Sequence, residues 1–327
     1  MGGAAWQQEV RPILLAATLI GAAGQATADE PLSVVYGPAA KTTEGDHDHR
    51  EVIYLSVPDN VTERLYLRVY DADTGGAHDT RYGSGWDTEI RYVLHGGAGA
   101  AGPRSAPAAG TVLSDTTVAQ QAAADDAWQT LASFRPDSGD HVDGRYVFRL
   151  EVTGLAGDDG NLFGVTLSRR ERRDATPAGL AVAAPAPTVR IPDRQRATEL
   201  AFDIPPDAER LRIGNFDAAG GRIAFASTYR TVELEPSGQD RWRESAVELL
   251  PEERGGPGSL LLAHGQEMPN DLTVAVTDGH GQSLPLHLPA RAAVANQRPR
   301  PVVEQAPLAD CAASGTAVQE ADAINRT

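Results

Sequence analysis

A chain of 327 residues has room for about two domains. Its 41% hydrophobic and 23% charged content is globular rather than disordered, and 33 glycines with 22 prolines suit a turn-rich protein better than a helical bundle. A formal net charge of -16 argues against nucleic acid or an anionic membrane surface as partner, since neutralising phosphates takes an excess of Lys and Arg.

Residues 1–28 read as an export signal. Arg11 precedes the apolar run ILLAATLIGAA (13–23), and Ala26-Thr27-Ala28 supplies small residues for cleavage before Asp29. The run is too short to span a bilayer, and no later segment is long and apolar enough. The mature chain is therefore expected to be soluble, and periplasmic or secreted in the Gram-negative manner. Its one cysteine, Cys311, cannot close an internal disulfide, so stability must come from hydrophobic cores. Leu308-Ala309-Asp310-Cys311 is not a lipoprotein acylation site, because Asp310 is the wrong residue there and the position is far from the N-terminus.

Strands follow in order. EVIYLSV (51–57), RLYLRVY (64–70), TEIRYVL (88–94), YVFRLEV (146–152) and LFGVTLS (162–168) alternate with period two, the pattern of a strand buried on one face. VAQQAAADDAW (118–128) has room for a turn of helix, and AGAAGPRSAPAAG (98–110) reads as a long flexible loop.

The second half repeats the first. Glu63-Arg64-Leu65 matches Glu209-Arg210-Leu211, Tyr70-Asp71 matches Phe216-Asp217, and both turns run on to Gly-Gly. Val57-Pro58 and Ile204-Pro205 precede them, and Trp128 and Trp242 follow. Leu150 to Thr153 is set against Val274 to Thr277, and LFGVTLS against SLPLHLP. The fold class expected is all-β: two tandem antiparallel β-sandwich domains, jelly-roll or Ig-like, of seven or eight short strands each, after a cleavable signal peptide. The boundaries are 1–28 signal peptide, 29–175 first sandwich, 176–190 Ala/Pro linker, 191–290 second sandwich and 291–327 Pro-rich flexible tail.

The turn after Tyr70 separates what the fold needs from what it does not. Asp71, Asp73, Asp79 and Asp87 are the candidate metal ligands of the first half, whereas the second half keeps only Asp217. Clustered carboxylates repel unless a cation sits among them, and Ca²⁺ takes six to eight hard oxygens. The likeness to an EF-hand loop fails, because Tyr82 stands at the closing glutamate position and strands flank the loop. Two arrangements fit: a loop-bound calcium at the sandwich edge, or a solvated acidic turn with local side-chain to backbone bonds. Asp158-Asp159-Gly160-Asn161 adds ligands if its loop lies at the same end.

Other chemistry is sparse. Asp46-His47-Asp48-His49 has zinc-ligand types, but neighbours in an extended segment point to opposite sides, so it reads as a solvated lead-in. There is no nucleophile elbow, phosphate loop or Cys/His pair. Trp86, Trp128 and Trp242 could stack on sugars, although tryptophans at matching places in a repeat more often fill cores.

The runs LRVYDADTGG, WDTEIRYVLHGG, GDDGNLFGVTLS, NFDAAGG and PNDLTVAVTD together resemble a family of exported bacterial envelope proteins, over roughly residues 50 to 290. That resemblance implies paired β-sandwiches, sometimes followed by PKD-type or OmpA-like modules, with no assigned reaction. The first half is also distantly similar to the jelly-roll domains appended to secreted peptidases. The expectation is a non-enzymatic binding or structural module of the envelope, calcium-stabilised at the acidic turn, with an envelope protein or glycan as partner. A carbohydrate-binding accessory of a secreted hydrolase, or a piece of a larger adhesin, is the alternative.

Overall fold

The computed structural model describes residues 32–40, 49–120, 125–191, 197–263 and 271–288. The expected signal peptide, the 291–327 tail with Cys311, and residues 46–48 of the His/Asp cluster lie outside them. The described residues form strands and two one-turn 3-10 helices, with no α-helix, and no helix among them is long and apolar enough to cross a membrane.

The first half comprises β1 (Leu32–Tyr36), β2 (Arg50–Pro58), β3 (Leu65–Tyr70), β4 (Glu89–Gly96), β5 (Thr111–Val118), β6 (Trp128–Phe134), β7 (Asp140–Val142), β8 (Arg145–Ala156) and β9 (Gly160–Ser168). All five alternating runs are strands. Leu65, Leu67 and Val69 of β3 face inward against Ile53, Leu55 and Val57 of β2 and Phe148, Leu150 and Val152 of β8. Each such buried side chain contributes about 1.5–3 kcal/mol, which is what fixes register, since a one-residue slip would turn the set to solvent. The described part of 118–128 holds no helix: Val118 ends β5 and Trp128 opens β6.

Then come β10 (Ala181–Ala184), β11 (Thr188–Arg190), β12 (Thr198–Asp203), β13 (Arg210–Phe216), β14 (Arg222–Ser227), β15 (Thr231–Leu234), β16 (Trp242–Glu248), β17 (Pro257–Ala263), β18 (Asp271–Asp278) and β19 (Leu286–His287). A second core gathers Leu200, Phe202, Leu211, Ile213, Ile223, Phe225, Leu260, Leu262, Val274 and Val276.

The two halves share one strand order. One layer runs β2-β8-β4-β5 in the first half and β12-β17-β14-β15 in the second; the other runs β1-β9-β3-β6 and β11-β18-β13-β16. The 3-10 turns Pro136–Ser138 and Pro251–Glu253 follow β6 and β16, both with proline in the first turn. Val61 N–H donates to Pro58 C=O as Ala208 N–H does to Pro205 C=O. Part of the alignment made on sequence is corrected. Leu150 to Thr153 lies in β8, whose counterpart is β17, whereas Val274 to Thr277 lies in β18, the counterpart of β9. SLPLHLP supplies only the two-residue β19, which stands where β10 stands. Two apolar strands in succession look alike in composition, and only their pairing partners tell them apart.

The stretch read as a linker contains two strands. β10 pairs with β2, and β11 pairs with β1 at Leu32↔Arg190 and Ser33↔Val189, which joins the half-sheets into one of eight strands. In the other layer β10 pairs with β19 at Ala183↔His287. Both junctions bring counterpart strands together antiparallel, in the self-complementary manner of a two-fold contact. Alanine and proline hide these strands on sequence, because strand preference is set by tertiary neighbours.

The loop over 98–110 is pinned rather than flexible. Arg149, fully buried, donates to the carbonyls of Pro103, Arg104 and Ala106 and pairs with Glu151 at 2.8 Å. Tyr54 OH donates to Gly102 C=O at 2.6 Å, and Asp140 accepts from the Gly99 and Ala101 N–H groups. A buried guanidinium needs acceptors for its donors, and the loop carbonyls supply them to its two terminal nitrogens.

Glu51, on β2, lies buried where the halves meet, accepting from Thr188 N–H of β11 at 2.9 Å. Burial pushes its carboxyl up from an ordinary value near 4.5 to about 8, against the opposing pull of the Thr188 hydrogen bond and Arg104. The folded chain thus binds this proton more tightly than the unfolded one. Its stabilisation is complete below about pH 4.5 and is lost as pH rises through about 8. Urea unfolding at pH 5 and pH 8.5 should show lower stability at the higher pH, and Glu51→Gln should reduce that difference. An unchanged difference in the variant would remove Glu51 as its source.

Candidate functional site

Asp71 closes β3 with φ of 53°, a left-handed conformation that Asp tolerates better than most residues. Its Oδ1 accepts from the N–H of Asp126, itself at φ 52°. Asp217 does the same after β13, at φ 61°, accepting from Asp240 N–H at 2.5 Å, with Asp240 at 55°. One glycine of each Gly-Gly pair, Gly76 or Gly220, takes a positive φ near 70°. This clasp is the part of the turn common to both halves, and it gives Asp217 a structural role in the second.

An aromatic pair seals each clasp. Tyr70 meets Trp128 at 5.6 Å between ring centroids, and Phe216 meets Trp242 at 5.5 Å. These tryptophans do not fill the cores. Trp128 is half-buried, Trp242 is 38% exposed, and they sit on β6 and β16 at opposite edges of the eight-stranded sheet. They form no single aromatic row. Trp86 is half-buried beneath the Arg81 guanidinium.

The remaining acidic residues separate into two neighbourhoods. Asp71 and Asp73 are fully buried, and Asp79 is buried enough for its carboxyl to respond. Asp79 accepts from Gly75 N–H at 2.8 Å and Leu162 N–H at 2.7 Å, pinning the loop to β9. Burial raises Asp71 to about 8, with the charges of Asp126, Asp73 and Asp125 adding to it. Burial and then the Asp71 charge raise Asp79 to about 9. The Tyr92 hydroxyl is pushed well up by burial, with Asp79, Asp71 and Asp73 all contributing.

Asp87 belongs elsewhere. It is exposed and joins Asp158 and Asp159, the one trio of metal-ligand side chains among the described residues with oxygens all within 4.8 Å. Those oxygens largely serve the loop: Asp159 accepts from Tyr82 N–H at 2.8 Å and Asp87 N–H at 2.7 Å, and Asp87 accepts from Asp158 N–H at 3.1 Å.

Sequence reasoning missed Asp125, Asp126, Arg190 and Asp271. Asp125 and Asp126 had a signal in the acidic pair just before Trp128, matched by Asp240 before Trp242. Arg190 had none. Its guanidinium grips Asp271 with two hydrogen bonds, 2.7 and 2.9 Å, and also donates to His78 C=O and Thr80 Oγ1. Tyr36 OH donates to Asp271 at 2.6 Å. One side chain from the second half thereby holds the acidic loop of the first.

No protein-family model matches the chain, and no curated protein matches it.

The Arg190–Asp271 pair is largely buried, so removing one partner strands the other. Arg190→Ala should lower unfolding free energy by about 3–5 kcal/mol in urea titrations. A loss below about 1 kcal/mol, the range of an exposed pair, would show that the clasp is weak.

Proposed function

We propose that the chain is a non-enzymatic, exported scaffold of the bacterial cell envelope, built by tandem duplication of one β-sandwich and stiffened in its first half by a divalent cation. The observation that carries this reading is one strand order used twice, with the copies joined edge to edge in a sheet of eight strands. A continuous sheet of this kind is suited to display or spacing. Export rests on the apolar run at 13–23 and the small residues before Asp29. The duplication is further supported by the paired clasps Asp71–Asp126 and Asp217–Asp240, each preceding a matched tryptophan. The cation is supported by buried carboxylates in the first half that the second half folds without. An envelope protein or glycan is the partner class that this location implies.

Fractionation of a Gram-negative host expressing the full chain tests the reading. Material in the periplasm or medium should begin at Asp29 on N-terminal sequencing, co-sediment with envelope fractions, and leave glycoside, ester and peptide substrates unturned. Retention in the cytoplasm with an intact N-terminus would refute export. Turnover above a heat-denatured control would refute the non-enzymatic part.

A further inference from the structure

The cation of that reading can be assigned a ligand set, and the obvious acidic trio is not it. In Asp87, Asp158 and Asp159 the oxygens are largely occupied by backbone N–H groups that shape the loop. The other neighbourhood differs. Asp71 Oδ2 and Asp125 Oδ1 are buried with no hydrogen-bond partner among the described residues, and so is Oδ1 of Asn161, whose side chain is fully buried.

Asn161 is the independent clue. Tyr92 OH donates to Ala72 C=O at 2.9 Å, between Asp71 and Asp73, so it must accept from the Asn161 amide, whose Nδ2 lies 3.2 Å away. That network fixes which way the amide points and leaves its oxygen without a donor. The next residue, Leu162, holds Asp79 through its N–H. An amide oxygen cannot relieve its burial by taking a proton, as a carboxylate can. Buried oxygens from three segments, with no donor for any of them, are the ligand type that a hard divalent cation takes.

Asp125 packs directly on that turn: a Cβ on Gly75 would lie 2.1 Å from Asp125 Oδ1. At the corresponding positions of the second half stand Ala219 for Asp73 and Gln239 for Asp125, although the Asp217–Asp240 clasp is intact.

We propose that Asp71, Asp73, Asp125 and Asn161 form a single site for a divalent, oxygen-preferring cation of the calcium type, bridging the turn after β3, the turn before β6 and the start of β9. The assignment rests on the cation-stiffened reading above. The 125–126 turn already rests on the turn at 71–76, through Asp126 N–H on Asp71 Oδ1 and Asp125 Oδ1 against Gly75. Asp79 stays with its two N–H donors, and Asp87 takes no part.

Calorimetric titration of the chelator-treated full chain with CaCl₂, alongside thermal melts in chelator, tests this. Wild type should bind one Ca²⁺ and melt higher with it. Asp125→Asn and Asn161→Ala should each weaken binding by about tenfold or more. Asp125→Asn should melt in chelator no lower than wild type, because it removes charge repulsion. Asp87→Asn should bind as wild type does. Wild-type binding that survives Asp125→Asn and Asn161→Ala, or that is abolished by Asp87→Asn, would overturn the ligand set while leaving a cation-stiffened first half. Absence of any Ca²⁺ binding by wild type would overturn the ligand set and the cation together.

Discussion

The antiparallel pairing of β1 with β11 is the contact on which the rest of the architecture depends. Each half, taken alone, would end one of its layers in an open strand edge, with backbone N–H and C=O groups exposed to pairing with any other chain. Here the two edges close each other. Because they are counterpart strands meeting antiparallel, a single strand order suffices for both sides of the junction; in the second layer β10 and β19 also meet antiparallel, but β12-β17-β14-β15 remains a separate sheet. The price is that residues 181–190 must be extended and buried, although their composition is that of a tether.

That junction also governs the acidic loop. Arg190 occupies the last position of β11, and from there it reaches Asp271 on β18 and the carbonyl and hydroxyl of His78 and Thr80. The loop carrying Asp71, Asp73 and Asp79 is therefore fixed from the second half as well as by Leu162 of β9. Fixing it permits burial of carboxyl groups that an untethered loop would release to solvent. The equivalent turn of the second half carries fewer carboxylates, with Ala219 and Gln239 at the positions of Asp73 and Asp125.

How far the sequence reveals this depends on the element. Strands with a full alternating face, such as Leu65-Leu67-Val69, are legible because one buried side dictates the pattern. β1, β10 and β11 are not, since three to five residues carry too little pattern and their strand character comes from partners distant in sequence. The repeat is legible at Tyr70-Asp71 and Phe216-Asp217, where a left-handed residue and an aromatic pair impose the same chemistry twice. It slips at β8 and β18, where apolar composition is all there is to align. Of the acidic residues, Asp71, Asp73 and Asp79 are placed together by one turn, whereas Asp87 leaves with the loop that Asp159 organises. Asp125 and Asn161 are separated from them by roughly 50 to 90 positions, and only the pairing of β3 with β6 and β9 brings the three segments to one end.

The central claim, that the halves form one cooperative sheet, is tested most directly by native-state hydrogen exchange at the β1 and β11 amides. These amides should exchange with the same free energy and denaturant dependence as the core strands β8 and β17, through global unfolding alone. Exchange of β1 and β11 by a lower-energy opening, with β8 and β17 still protected and unfolding in separate steps, would contradict it.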